Sequence, residues 1–268
     1  MLRSLNSGVS GLKGFQTKLD VIGNNIANVN TIGFQKSRVM FEDIFSQTVK
    51  DATGPKANPA SGGTNPIQVG LGTKVGSIDT VFTPGSPTTT NIGTDLYLDG
   101  DGFFVVQNAA GEQFLTRAGN FRVDSSNQLV TQDGLFVLDQ TGGPITIPDK
   151  YAAFTIDAAG AIIGVDAKGN STDSGLKIGT VAVNNPGGLE KAGGSLYSLT
   201  PNADSRRMAG LLRQGSDASI ISGALEMSNV DLSEELTDMI TAQRGFQANA
   251  KIITVSDSIL EELVNLKR

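Results

Sequence analysis

The carboxylates of Asp99-Gly-Asp-Gly102 are the residues of this 268-residue chain that most suggest chemistry. Alternating carboxylates open the calcium loop of an EF-hand, but that loop also needs a third acidic ligand and a closing bidentate glutamate. The segment has neither, so we interpret it as a turn between two strands. The acidic pairs Glu234-Glu235 and Glu261-Glu262 are expected on solvated helix faces. The sequence therefore predicts no metal site and no cofactor.

A serine nucleophile is the other chemistry that the N-terminal residues suggest. Ser4, Ser7 and Ser10 recur every three residues, but the chain contains no histidine, so a Ser-His-Asp triad cannot be built. A Ser-Lys pair with Lys13 or Lys18 is the arrangement left, and nothing else in the segment supports it. We therefore predict no catalytic residues.

Composition also disfavours an enzyme. The absence of cysteine excludes thiolate nucleophiles and disulfides, and the absence of histidine removes the commonest general base near neutral pH. A formal charge of −6 argues against nucleic-acid binding, because no basic surplus is available for phosphates. Two other classes stay open: a hydrolase or glycosidase using Asp99 or Asp101, and a cell-surface adhesin, for which no ligand-binding loop is identifiable.

Three glycines near the N-terminus, Gly8, Gly11 and Gly14, do not have the spacing of a phosphate-binding loop after a strand. We interpret them as positions where a helix closely approaches a neighbour. The same N-terminal segment has neither the continuous apolar stretch of a secretory signal peptide nor a small-residue cleavage site, so it is not such a peptide. No stretch is apolar enough to span a membrane, and we predict no membrane insertion. Export, if it occurs, must use another pathway.

Both ends of the chain have the apolar spacing of amphipathic helices, with alternating steps of three and four residues. Two such helices can simply pack on an ordinary core. Their positions at the extreme ends favour an antiparallel coiled coil that leaves apolar surface for other copies, and non-closing contacts between copies generate helical filaments. The predicted seam and polymerisation residues are Leu5, Leu12, Phe15, Leu19, Ile22, Ile26, Val29, Leu232, Leu236, Met239, Phe246, Ile253, Leu260 and Val264.

The region between the helices differs from them in composition and in the spacing of its apolar residues. Residues 46–70 are rich in Gly, Pro, Asn, Ser and Thr, which predicts a long loop or a segment that becomes ordered on assembly. Short apolar runs begin at Leu96 and are separated by turns that start with Asp or Asn and end three residues later in a residue that tolerates positive φ. These turns are 108–111, 124–127, 157–160 and 166–169.

These patterns predict an α+β fold in which N- and C-terminal helices form an antiparallel coiled coil beside a central antiparallel β domain. The predicted divisions are a helical domain of 1–30 and 230–268, a linker region of 31–90 and 210–229, and a β-rich domain of 91–209.

Several motifs add a resemblance to a known family. The segment from Leu19 to Phe34, LDVIGNNIANVNTIGF, resembles the N-terminal signature of bacterial flagellar rod and hook proteins. Residues 226–236, 239–251 and 263–268 are similar to the family's C-terminal end, and 99–104 and 116–121 look like its β-domain motifs. The signature residues are Asn24, Asn25, Asn28, Gly33, Phe34, Asn229, Gln243 and Arg244.

The resemblance implies a structural, non-enzymatic subunit whose terminal coiled coil lines a hollow helical tube that transmits motor torque. It implies a location in the basal body or hook of the flagellum, outside the cell after type III export. The implied partners are other copies of the chain, the adjacent rod, hook-cap and hook-filament junction proteins, and the export apparatus.

The resemblance leaves two positions along the flagellar axis open. The closing residues resemble a short hook protein of the Gram-positive type, which is the preferred interpretation. Chain length and the segment 46–70 resemble the distal rod protein, which is the alternative. A hook must let its subunits slide and a drive shaft must not, so residues 46–70 are the expected determinant of stiffness.

Overall fold

The computed structural model describes residues 2–54, 56–57, 60–166 and 170–266, so all but the first residue of the predicted turn 166–169 falls outside the described residues. The fold is α+β, with long helices at the two ends and antiparallel strands between them, as predicted. In chain order the elements are α1 (Leu2–Ala27), β1 (Ser37–Asp43), β2 (Ser46–Lys50), β3 (Lys56–Ala57), β4 (Ala60–Ser61), β5 (Ile67–Gly70), β6 (Thr73–Thr80), β7 (Pro87–Thr89), β8 (Leu96–Asp99), β9 (Phe103–Gln107), β10 (Gln113–Thr116), β11 (Arg122–Val123), β12 (Leu129–Val130), β13 (Phe136–Val137), β14 (Tyr151–Ile156), β15 (Ala161–Asp166), β16 (Ser171–Lys177), β17 (Thr180–Val181), a 3-10 turn (Pro186–Gly188), β18 (Glu190–Gly193), β19 (Leu196–Ser198), α2 (Met208–Gln214), β20 (Ser219–Ser222), β21 (Ala224–Glu226) and α3 (Leu232–Leu266).

The chain forms two compact units, and the first is built from α1, α3 and the strands β1 to β6. These strands make an antiparallel ribbon in which β1 pairs with β6, β2 with β5 and β3 with β4. The expectation of a long loop over 46–70 is therefore wrong for β2 and β5. Phe45 and Val49 are the apolar residues of this strand region, and polar Gln47 between them interrupts an apolar period of two, so the sequence pattern does not reveal the strand.

The second unit contains residues 27–36 and 80–231 and holds the main apolar core. An eight-stranded antiparallel sheet has the order β11-β12-β13-β9-β10-β19-β18, and β17 also pairs with β9. Because successive side chains of β9 point to opposite faces, Phe104 and Val106 join one core cluster while Phe103 and Val105 join another. The helix α2 packs on the second cluster through Leu211 and Leu212. A three-stranded sheet, β14-β15-β16, adds Ile156 and Ile162 to the first cluster.

Three of the predicted turns have the expected backbone. Gly111, Asn127 and Gly160 all have positive φ, at 89°, 56° and 78°. At the first turn, the Asn108 side-chain oxygen accepts a hydrogen bond of 2.9 Å from the N–H of Ala110. This is the local bonding that makes Asx residues favourable at the start of turns.

Candidate assembly surface

The helices α1 and α3 contact each other and run antiparallel in one constant register. Residue numbers rise along α1 as those of the partners fall along α3. The contacting pairs are Gly8 with Ile252, Gly11 with Asn249, Phe15 with Gly245, and Asn25 with Glu235. An ion pair of 3.1 Å between Lys18 Nζ and Asp238 Oδ2 follows the same direction.

Glycines allow this close approach. A Cβ atom placed on Gly245 would lie 2.6 Å from Cζ of Phe15, and one on Gly11 would lie 2.9 Å from Oδ1 of Asn249. The interpretation as a close helix contact is therefore confirmed for Gly11. Gly8 also faces α3, but a Cβ there would lie 3.5 Å from Cγ2 of Ile252, which is an ordinary contact distance. Gly14 faces a strand instead, because a Cβ there would lie 2.8 Å from Cε1 of Phe41 in β1.

Asn25 joins three elements of the first unit. Its side chain is 1% exposed and pairs with the Ser37 backbone, donating 2.9 Å to the carbonyl and accepting 3.0 Å from the N–H. Asn25 Nδ2 also donates to the Glu235 carboxylate at 3.2 Å. Glu235 is only 7% exposed, so the expectation that it lies on a solvated face is wrong. Asn25 meets this carboxylate because both lie in the contact between the helices.

The predicted seam residues fall into three groups by burial. Ile22 is fully buried, while Leu232, Leu236 and Val264 are exposed. The others are half-buried: Leu5, Leu12, Phe15, Leu19, Ile26, Val29, Met239, Phe246, Ile253 and Leu260. The coiled-coil and polymerisation roles of the set stay predictions.

The covered stripe of α3 repeats in steps of four and three, the spacing of a coiled-coil seam. Half of its members are polar or small, and a search for apolar residues therefore misses them. The stripe consists of Glu235, Met239, Ala242, Phe246, Asn249, Ile253, Ser256 and Leu260.

Large apolar side chains also lie outside this stripe. Soluble monomers rarely expose many of them together, and such patches mark interaction surfaces. The exposed apolar residues of α3 are Leu232, Leu236, Ile240, Ile252, Val255, Ile259, Leu263, Val264 and Leu266.

The outer part of the ribbon has an apolar face that the described residues of the first unit leave exposed. Gln47 pairs with Val69, and paired residues share a face, so Phe45, Ile67 and Val69 lie on one side. Val49 is the extra residue of a bulge beside them, where the pairing shifts from Thr48–Gln68 to Lys50–Ile67. Phe45 is 87% exposed and Val49 is 62% exposed. A two-stranded ribbon alone is marginally stable in water. The ribbon therefore presents a second surface suited to association.

The signature residue Asn229 belongs to a buried polar network in the second unit. Asn229 Nδ2 donates 2.8 Å to Oε1 of Gln35, whose Nε2 donates 3.1 Å to Oε1 of Glu226. Glu226 is fully buried and also forms a 3.3 Å ion pair with Arg117, which is 3% exposed. The side-chain oxygen of Asn229 accepts 2.8 Å from the N–H of Lys36.

The remaining signature residues differ in their surroundings. Gly33 has a φ of +65°, and a Cβ there would lie 2.5 Å from the Ala118 nitrogen, so only glycine fits. The ring of Phe34 lies 5.2 Å from Lys191 Nζ, and burial lowers the pKa of that lysine. Asn28 accepts 3.1 Å from the Thr31 hydroxyl. The other three, Asn24, Gln243 and Arg244, are exposed.

The segment first considered for chemistry, 99–102, connects the end of β8 to the start of β9. Asp99 ends β8, and Gly100 continues with a φ of +123° and accepts 2.9 Å from Arg117 Nη2. Ser10 Oγ donates 2.8 Å to the Ser7 carbonyl. Within the described ranges, no three His, Cys, Asp or Glu side chains are grouped as metal ligands. None of the described helices is long and apolar enough to cross a membrane.

Three family models match the chain, and they span both ends and the centre. "Flagella basal body rod protein" matches residues 5–35, and "Flagellar hook protein FlgE/F/G D1 domain" matches residues 97–164. "Flagellar basal body rod FlgEFG protein C-terminal" matches residues 221–266.

Full-length relatives include both rod and hook proteins. The chain is 52% identical over 268 residues to the flagellar basal-body rod protein FlgG of Bacillus subtilis, with 100% of both chains covered. Identity is 36% over 276 residues to the FlgG rod protein of Borreliella burgdorferi, again with full coverage of both. It falls to 31% over 448 aligned residues for the flagellar hook protein FlgE of that organism, with full coverage of both. These similarities favour the rod alternative over the hook interpretation.

Proposed function

The chain belongs to the family of bacterial flagellar rod and hook proteins, and on that premise we propose that it is a distal-rod subunit of the flagellar basal body. It is a structural, non-enzymatic component of the flagellum. The observation that carries the rod assignment is the 52% identity with the Bacillus subtilis rod protein. The alignment covers 100% of both chains. The alignment with the hook relative from Borreliella burgdorferi extends over 448 positions, although this chain has 268 residues.

The terminal helices supply the surface for polymerisation. The covered stripe of α3 packs on α1, and the exposed apolar residues of α3 are available to other copies. A helix with apolar side chains outside its intramolecular contact gains stability when a neighbour covers them. Copies that contact each other through different faces build an open helical array. The partners are therefore other copies of this chain and the adjacent axial proteins, reached after export by the flagellar type III apparatus.

The ribbon provides the stiffness that a drive shaft needs. Its apolar face, formed by Phe45, Ile67 and Val69, is exposed on a two-stranded element that gains stability when it packs on a neighbour. Replacing residues 46–70 by an Asn-Gly turn should leave shafts that assemble but bend, as seen in electron micrographs of isolated basal bodies. Straight shafts from this variant would contradict the proposal that the ribbon provides stiffness.

The phenotype of a deletion strain tests the rod assignment. Cells lacking this chain should make basal bodies whose rod stops short and carries no hook, because later axial proteins have no platform. Restoring the natural chain should restore both rod and hook. A completed rod that ends without a hook would contradict the rod assignment and support a hook subunit.

A further inference from the structure

Eight of the nine exposed apolar residues of α3 form two separate patches on opposite sides of the stripe that packs on α1, and Val264 belongs to neither patch. On a helix with about 3.6 residues per turn, each patch lies roughly 110° around the axis from that stripe, in opposite directions. The first patch, near the start of α3, consists of Leu232, Leu236 and Ile240. The second patch, near its end, consists of Ile252, Val255, Ile259, Leu263 and Leu266.

Both patches are open to solvent in the single chain. Leu236 and Ile240 are 46% and 59% exposed, and Ile259 and Leu263 are 42% and 48% exposed. Because the patches face opposite ways, one copy can contact a neighbour on each side of α3. When the first patch of one copy contacts the second patch of another, each copy still has one unoccupied patch. Another copy can therefore be added at either end. This is the condition for an open array.

Charge complementarity identifies a second copy as the occupant. Arg244 borders the first patch and Glu262 borders the second, both on the side of α3 that faces away from α1. Both side chains are exposed, and no ion pair joins either of them to another described residue. When parallel copies of α3 bring unlike patches together, α1 lies on the same side in both copies. Arg244 and Glu262 then meet along the opposite edge.

The positions of the patches also set the relative height of the copies. Leu236 is central in the first patch and Ile259 in the second, and Val255 precedes Ile259 by one turn. Bringing Leu236 level with Val255 or Ile259 displaces the copies by 19 or 23 residues, about 30–35 Å at 1.5 Å per residue. Over this range Arg244 lies within about 8 Å of Glu262 along the axis, a separation that two long side chains can span.

We propose that neighbouring copies associate through unlike patches of parallel α3 helices, Leu232-Leu236-Ile240 of one against Val255-Ile259-Leu263 of the next, with an axial stagger of about 30–35 Å. The proposal rests on the rod function proposed above and specifies which surfaces of the terminal helices associate. It also requires Arg244 of one copy to pair with Glu262 of the other.

Cysteine cross-linking tests the pairing, because the natural chain contains no cysteine. Basal bodies are isolated from cells whose only copy carries Leu236→Cys, Ile259→Cys or both, and are oxidised and run on non-reducing gels. The double variant should give a ladder of covalent multimers, and each single variant should stay monomeric. Val255→Cys and Leu263→Cys, each combined with Leu236→Cys, bracket the stagger.

Two results would overturn the proposal without touching the rod assignment. Dimers from either single variant would mean that like patches meet. Complete rods in which no double variant cross-links would mean that the patches do not meet. Failure of the rod assignment looks different, because complete rods would then form without this chain.

A charge exchange tests the same contact without new cysteines. Arg244→Glu alone and Glu262→Arg alone should each reduce the number of completed rods per cell several-fold, because like charges then face each other. The double exchange should restore rods to near the natural number. Single variants that assemble normally, or a double exchange that is worse than both, would contradict the pairing.

Discussion

Glu226 connects four segments of the second unit that are distant in sequence. Its carboxylate accepts hydrogen bonds of 3.1 Å from the Gly85 N–H and from Gln35 Nε2, and it pairs with Arg117. Its backbone carbonyl accepts 2.9 Å from the Gly33 N–H. Glu226 and Arg117 both fall within the motifs that carry the family resemblance. Their partnership could not be foreseen, because sequence spacing does not tell which distant charges share one buried site.

Removing the charge of Glu226 should strongly destabilise the second unit. Glu226→Gln keeps the size of the side chain but leaves Arg117 buried without a counter-charge, which costs about 3–5 kcal/mol. Chemical denaturation of the purified chain measures the free energy of unfolding. The matched control is Glu42→Gln, which breaks an exposed 3.1 Å pair with Lys74 and should cost less than about 1 kcal/mol. Equal losses for the two variants would contradict the role of the buried pair.

Tyr197 should make the second unit sensitive to alkali. Burial, with the nearby Glu226 carboxylate, raises the pKa of this phenol from 10.0 to about 12. A raised folded-state pKa contributes stability that is complete below pH 10 and is lost as the pH rises to about 12. That contribution is about 2–3 kcal/mol for a shift of about two units.

The variant Tyr197→Phe lacks the ionisable hydroxyl and keeps the ring that contacts Phe82 and Phe103. Its stability should therefore fall less than that of the natural chain between pH 9 and pH 11.5, as measured by urea denaturation. Parallel pH profiles for the two proteins would show that Tyr197 is not the group responsible.

At the scale of elements, apolar periodicity located α1 and α3 but revealed only part of their contact. Phe246 and Ile253 belong to the covered stripe of α3, whereas Leu236 and Val264 lie exposed. The stripe includes the polar residues Glu235 and Asn249, which a hydrophobicity pattern cannot detect. The first is bonded to Asn25, and the second lies against Gly11. The ribbon was missed because its apolar period of two is interrupted and its turn residues dominate the composition.

A charge placed in the contact between the helices should prevent assembly and spare the second unit. Phe246→Asp puts a carboxylate into the stripe that packs on α1, where an unpaired charge costs several kcal/mol. Sedimentation of the purified chain should show loss of polymer. Near-ultraviolet circular dichroism should retain the tyrosine signals, because all three tyrosines belong to the second unit. Thr241→Asp, on the exposed side of α3 and about 15 Å along the axis from the contact proposed for that side, is the control and should assemble. Normal polymer from Phe246→Asp would remove this residue from the seam.

At the scale of the whole chain, the two units differ in how much apolar surface they leave exposed. The second unit has its own apolar core and a buried polar network. The first unit exposes apolar surface on α3 and on the ribbon, which only association can cover. The sequence predicted the α+β class and the family. It did not separate rod from hook, because the closing residues resemble a short hook protein whereas the chain length and residues 46–70 resemble the distal rod protein.

An averaged electron cryo-microscopy map of isolated hook–basal bodies, at a resolution that identifies side chains, tests the account most directly. We expect this chain to fit the density of the distal rod, with the α1–α3 pair of each copy in contact with the α1–α3 pairs of its neighbours. A fit to the hook, or to a rod in which the terminal helices contact no other copy, would contradict it.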